Sequence, residues 1–168
     1  MLQSGKMTVM KTVSSPEQQK FFLERGYIEF EKLISLEEAQ AALAAISTTK
    51  ERMPHHPLQQ LIRATPYLLQ LIRKKELAKF AYELTLQSPL RIAFDKYAEG
   101  PFQPPFIEQH ECGLLLYLHH AKKGGSGIYY QGSLSQEVLL SDDKTPYLLF
   151  VFSNKQLHTI FNPIVFKK

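Results

Sequence analysis

The segment Phe106-Ile107-Glu108-Gln109-His110-Glu111-Cys112 gathers two carboxylates, an imidazole and the only thiol of the chain. Residues two apart on an extended strand project to the same side. On that geometry Glu108 and His110 share a face, and Glu111 looks away from them. A carboxylate beside an imidazole is part of a metal-ligand set. The plainer reading is a pair of polar residues on a solvated strand face. Nowhere does the chain contain His-x-Asp or His-x-Glu, the usual way a strand offers both ligand types together.

The other candidate groups point to loops. His55-His56 lies between Pro54 and Pro57, and adjacent residues rarely chelate one ion. His119-His120 leads into a Gly-rich turn. Gly124-Gly125-Ser126-Gly127 lacks the Lys-Ser/Thr of a phosphate loop and joins two strands instead of opening a helix. Neither Ser126 nor Ser133 sits in a nucleophile elbow. With Cys112 alone, an intramolecular disulfide and a Cys-cluster zinc site are both excluded.

The elements that must position these groups fall into two halves. Residues 14–88 read as mainly helical and residues 89–168 as mainly β. Ser15-Pro16-Glu17-Gln18 is a capping box with proline at the first helical position, and Gly26 is a natural helix stop. Tyr27 to Phe30 alternates as a short strand. Ser35-Leu36-Glu37-Glu38 is a second capping box, opening a helix with Leu36, Ala39, Leu43 and Ile46 at helical spacing. Leu58 to Leu86 reads as a helical stretch broken at Thr65-Pro66. After Pro89, strands are expected at Arg91–Phe94, Leu114–Leu118, Ile128–Gln131, Glu137–Leu140, Tyr147–Phe152, Leu157–Ile160 and Ile164–Phe166. Lys122 to Gly127 reads as a flexible hairpin turn. Helices first and strands second give α+β.

At 168 residues the chain is one domain by length and can bury a real core. Residues 1–13 read as a disordered or cloning-derived start, and 14–168 as the single domain. The formal net charge of +4 and the sequence pI of about 9.1 permit attraction to anionic partners without demanding it. No run of like charge exceeds Arg73-Lys74-Lys75, which suits a solvated helix end. The absence of an apolar leader stretch and the single cysteine suggest the cytoplasm. The apolar run Tyr147 to Phe152 is too short to span a bilayer, so no membrane insertion is expected.

Three segments resemble the phytanoyl-CoA dioxygenase family. They are Phe21-Phe22-Leu23-Glu24-Arg25-Gly26-Tyr27-Ile28 with its capped helix, Gly127-Ile128-Tyr129-Tyr130-Gln131-Gly132-Ser133, and Tyr147 through His158. The resemblance implies a double-stranded β-helix (a jelly-roll or cupin-like core) with the N-terminal helices packed on one sheet. It also implies Fe(II), 2-oxoglutarate and a distal iron histidine at His158. The family's His-x-Asp pair should fall just before Leu114. There this chain offers His110-Glu111-Cys112, with a thiol in the carboxylate's place. A substitute set would be Glu108, His110 and His158. The anchor for the 2-oxoglutarate carboxylate would be Lys168, a point charge where an arginine fork is usual. On this resemblance the strand that normally follows would be lacking, so the β barrel is expected to be shorter or open.

These readings converge on an oxygenase-like scaffold that has lost catalysis and binds a protein or a small anionic ligand at the barrel mouth, with no catalytic residues and no cofactor. The alternative is a non-haem Fe(II) oxygenase with metal ligands His158, His110 and Glu108, and Lys168 at the cosubstrate. A third reading, nucleic-acid binding, rests on the pI alone and ranks last, because no recognised binding motif accompanies the charge.

Overall fold

The computed structural model describes residues 14–56, 58–88, 90–99, 104–119, 124–135, 145–155 and 165–166. Both capping boxes form. Ser15 Oγ accepts the Gln18 N–H at 3.2 Å while Gln18 Oε1 accepts the Ser15 N–H at 2.7 Å, opening helix α1 (Pro16–Arg25). Gly26 ends it in the left-handed region at φ 79°. Strand β1 (Tyr27–Phe30) follows at once. Ser35 and Glu38 repeat the reciprocal cap at the start of α2 (Leu36–Arg52).

The helical stretch that follows is broken twice, once more than the sequence suggests. It comprises α3 (Leu61–Ala64), α4 (Pro66–Lys74) and α5 (Leu77–Thr85). Pro66 begins α4 as expected. The Thr65 hydroxyl does not cap it; it pairs with Thr49 Oγ1 at 2.8 Å, tying α2 to the break. The unforeseen break falls at Glu76, which adopts φ 53°. Without a glycine, proline or asparagine there, no local punctuation marks it.

Strands β2 (Leu90–Ala98), β3 (Glu111–Tyr117), β4 (Gly127–Tyr130), β5 (Tyr147–Ser153) and β6 (Val165–Phe166) join β1 in one sheet. Its order is β1-β4-β3-β5-β2-β6, and its ladders are antiparallel. The expected strands at Glu137–Leu140 and Leu157–Ile160 lie outside the described residues. The Lys122–Gly127 turn is described from Gly124 onward, and that part is pinned. Gly125 N–H donates to Tyr117 O at 2.9 Å and Gly125 O accepts the Ile34 N–H at 3.0 Å.

Alternation along the strands separates two apolar faces. Cys112, Leu114, Leu116, Tyr129, Leu148, Phe150 and Phe152 pack against the helices. Leu115, Tyr117, Ile128, Tyr130, Tyr147, Leu149 and Val151 form the other face, with Ile107. Both faces are buried, which explains why β3, β4 and β5 read as apolar runs more than as alternation.

Two polar side chains inside the helix-facing layer, Tyr129 and Asp95, have hydrogen-bond partners. Tyr129 is fully buried, and its hydroxyl donates to Leu77 O at 2.8 Å, fastening the sheet to the start of α5. Burial pushes its phenol well above the usual range, so it stays a neutral donor. Tyr129→Phe should therefore lose about 1–2 kcal/mol, read as a lower urea midpoint at unchanged m-value. An unchanged midpoint would mean that the hydrogen bond contributes nothing net.

Asp95 on β2 takes the same helix-facing direction. Its Oδ2 accepts the Ile62 N–H at 3.1 Å, and its carbonyl accepts the Gln60 N–H at 3.0 Å. It thus supplies from across the chain the cap that α3 lacks locally.

Candidate functional site

The i, i+2 spacing predicts Glu108 and His110 on one face of an extended strand. The structure corrects this. Glu111 N–H donates to Glu108 O at 3.0 Å, so Glu108–Glu111 closes a turn and β3 begins only at Glu111. Glu-Gln-His-Glu carries none of the usual turn residues, so a local reading favours continued strand. The expectation that Glu111 points uselessly away fails for the same reason. Its Oε1 accepts the Glu108 N–H at 3.2 Å and helps close the turn.

The turn nonetheless brings the two side chains together. Glu108 Oε2 lies 3.1 Å from His110 Nδ1, and Lys155 Nζ stands 3.9 Å from the same oxygen. The backbone around them is held from several sides. Gln87 Nε2 donates to Gln109 O at 3.0 Å and Gln131 Nε2 to the same oxygen at 2.9 Å. Asn154 N–H donates to His110 O at 3.2 Å, joining the turn to the end of β5. Neither glutamine stood out in the sequence; only proximity across the fold reveals them.

Cys112, which the resemblance would align with the family's carboxylate, is not at this cluster. Its side chain is fully buried in the helix-facing layer, opposite Phe152. Burial pushes the thiol far up, so it stays protonated. His158 and Lys168 lie outside the described residues.

The donor set can be tested for fit to a metal. Two ligands bound at right angles at about 2.1 Å would be roughly 3 Å apart, so the Glu108–His110 spacing suits one shared ion as well as a direct hydrogen bond. Two donors do not complete a two-histidine, one-carboxylate site. Among the described residues no group of three His, Cys, Asp or Glu side chains could hold one ion. The described donors therefore do not fit the complete iron centre.

Taken with the six-stranded antiparallel sheet and its helical layer, comparison with solved structures decides the architecture. CT296 from Chlamydia trachomatis superposes with a TM-score of 0.72 at 21% identity, covering 88% of this chain and 99% of that one. SnoK, a non-heme alpha-ketoglutarate-dependent carbocyclase from nogalamycin biosynthesis, gives 0.60 at 13% identity, over 83% of this chain and 84% of its own. HygX from Streptomyces hygroscopicus, solved with nickel and 2-oxoglutarate bound, gives 0.59 at 10% identity, over 84% and 87%. The fold is 2-oxoglutarate-oxygenase-like. No protein family and no curated protein matches the chain by sequence. At these identities the likeness carries architecture and not chemistry. Among the described residues, no helix is long and apolar enough to cross a membrane.

Proposed function

We propose that this chain is a degenerate oxygenase-like scaffold, of phytanoyl-CoA dioxygenase-like descent, that binds a protein or a small anionic ligand and does not oxidise it. In this reading the sheet is one wall of a double-stranded β-helix. The observation that carries it is the fate of the missing carboxylate. Cys112, in its place, is sealed against the helices, while Glu108 and His110 are occupied by each other in a turn. A thiol that is held protonated is a poor metal ligand, and this one is packed into the helix-facing core.

One observation favours a second reading, an active Fe(II) oxygenase. The Glu108–His110 spacing of 3.1 Å is compatible with two ligands on one ion, and His158 would be the third. Lys168 would then hold 2-oxoglutarate by charge. Bound iron would supply dioxygen activation; the role of the chain would be to hold the ion and exclude water.

Anaerobic titration with Fe(II), and with Mn(II) as a redox-silent substitute, separates the two. The scaffold reading expects no stoichiometric uptake, with or without 2-oxoglutarate. Uptake of one ion per chain that is abolished in both His158→Ala and His110→Ala would overturn it in favour of the enzyme. His110 lies outside the described core clusters, so His110→Ala should keep the wild-type circular dichroism spectrum, and the same spectrum serves as the folding control for His158→Ala.

A further inference from the structure

A cleft of about 610 Å³ opens at the far end of β3 from the Glu108–His110 turn. The seven residues of β3 separate the two places by roughly 20 Å. The volume falls within the range typical of small-molecule sites. Lys32, Ile34, Ser35, Leu36, Lys75 and His119 line it, together with Gln40 and Gly124.

We propose that this cleft binds a small phosphate monoester carrying a short apolar group. This rests on the binding half of the reading above and gives it a place and a ligand class. The lining has a charged side and an apolar side. Lys32 and Lys75 contribute two formal positive charges, and among the described residues no lining residue is acidic. Lysines act as point charges toward phosphate oxygens, and a dianion engages two of them. The His119 ring adds a polar edge. Ile34 is buried and forms floor, whereas Leu36 keeps 51% of its surface exposed, an apolar wall available to a ligand's body.

Glu38 is the nearest competitor for the charge. It lies 3.3 Å from Lys75 and 3.6 Å from Lys74, and its carboxyl is only slightly exposed. Lys75 is thereby held in a fixed position, whereas Lys32 is exposed. The first turn of α2 is already closed by its own capping box, so the lysines and not the helix end supply the attraction. One side of the cleft is fixed by backbone contacts. Gly125, at φ 86°, packs so closely on Ile34 that an added Cβ would collide with the Ile34 carbonyl oxygen. The hairpin and the Ile34–Leu36 segment are therefore locked together as opposing walls.

The test is a titration of the full chain followed by backbone amide shifts at low salt, with phenyl phosphate, inorganic phosphate and benzyl alcohol as probes. Phenyl phosphate should shift Ser35, Gln40 and Gly124 saturably. Lys32→Gln should weaken it about fivefold, the effect of losing one exposed charge contact. Inorganic phosphate should bind the same amides more weakly, and benzyl alcohol more weakly still. Absence of saturable shifts at those amides would overturn the proposal, as would unchanged affinity in Lys32→Gln. Benzyl alcohol binding as tightly as phenyl phosphate would refute the anionic recognition, and inorganic phosphate doing so would refute the apolar half. The metal titration reads the opposite end of β3, so either proposal can fail alone.

Discussion

Gly113→Ala is expected to destabilise the fold by about 3 kcal/mol, the upper end of the usual cost of overpacking a core. Gly113 sits in the middle of the sheet, opposite Tyr130 on β4 and Val151 on β5. The Tyr130 ring lies over it. A Cβ at Gly113 would collide with Cε1 and Cζ of that ring, and even the third neighbour, Cδ1, would be 2.9 Å away. The ring has little room to yield. Tyr130 is fully buried among Ile107, Leu115 and Tyr117, and its hydroxyl reaches Pro105 O at 3.4 Å. Urea unfolding of Gly113→Ala, Tyr130→Leu and the double variant forms a thermodynamic cycle. The double variant should be more stable than the sum of the singles implies, because leucine vacates the space that the methyl needs. Simple additivity would show that the clash is relieved elsewhere and that the glycine is not required by Tyr130.

The second large effect is on pH dependence. Burial raises the Asp95 carboxyl from 3.8 to about 6, against the opposing pull of the Ile62 and Leu61 amides, Arg63 and His56. The sign follows from proton uptake. Between about pH 4 and pH 6 the folded chain binds this proton and the unfolded chain does not. The contribution from Asp95 is therefore fully present below about pH 4 and is lost as pH rises through about 6. The rise from 3.8 to about 6 corresponds to on the order of 3 kcal/mol. Asp95→Asn keeps an oxygen for the Ile62 N–H and removes the charge. The variant should match the wild type near pH 4 and exceed it by about 2–3 kcal/mol at pH 8. Parallel stability profiles for the two proteins across that range would sink the assignment.

Much of the helical half is legible because its signals are local. Ser15–Gln18 and Ser35–Glu38 close their caps with neighbours three residues away, and Gly26 and Pro66 act through their own backbone restrictions. The central strands are legible as apolar runs, and the sequence predicts four of the nine residues of β2, Arg91–Phe94. Its remainder, with Asp95 and Lys96, looks too polar for a strand until the cap on α3 and the Gln59–Lys96 bridge supply partners. The candidate site is less legible for the same reason. Nothing within Glu108-Gln109-His110-Glu111 announces a turn. It is imposed by Gln87, Gln131 and Asn154, which are distant in sequence. The thiol at Cys112 could be identified as out of place, but only the sheet shows that it looks toward the helices.

The pairing of β1 with β4 has a consequence for synthesis. Tyr27 aligns with Tyr130 and Phe30 with Gly127, so about a hundred residues separate the partners. A ribosome adding roughly 5–20 residues per second leaves β1 without its partner for about 5–20 s. During that interval the backbone edge of β1, with buried-type side chains at Ile28 and Phe30, is exposed on the nascent chain. The loop must close before the contact rewards it, so this step should be late and slow. Chaperone dependence during translation, and aggregation of nascent chains stalled before residue 127, are the expected traces of this long-range pairing.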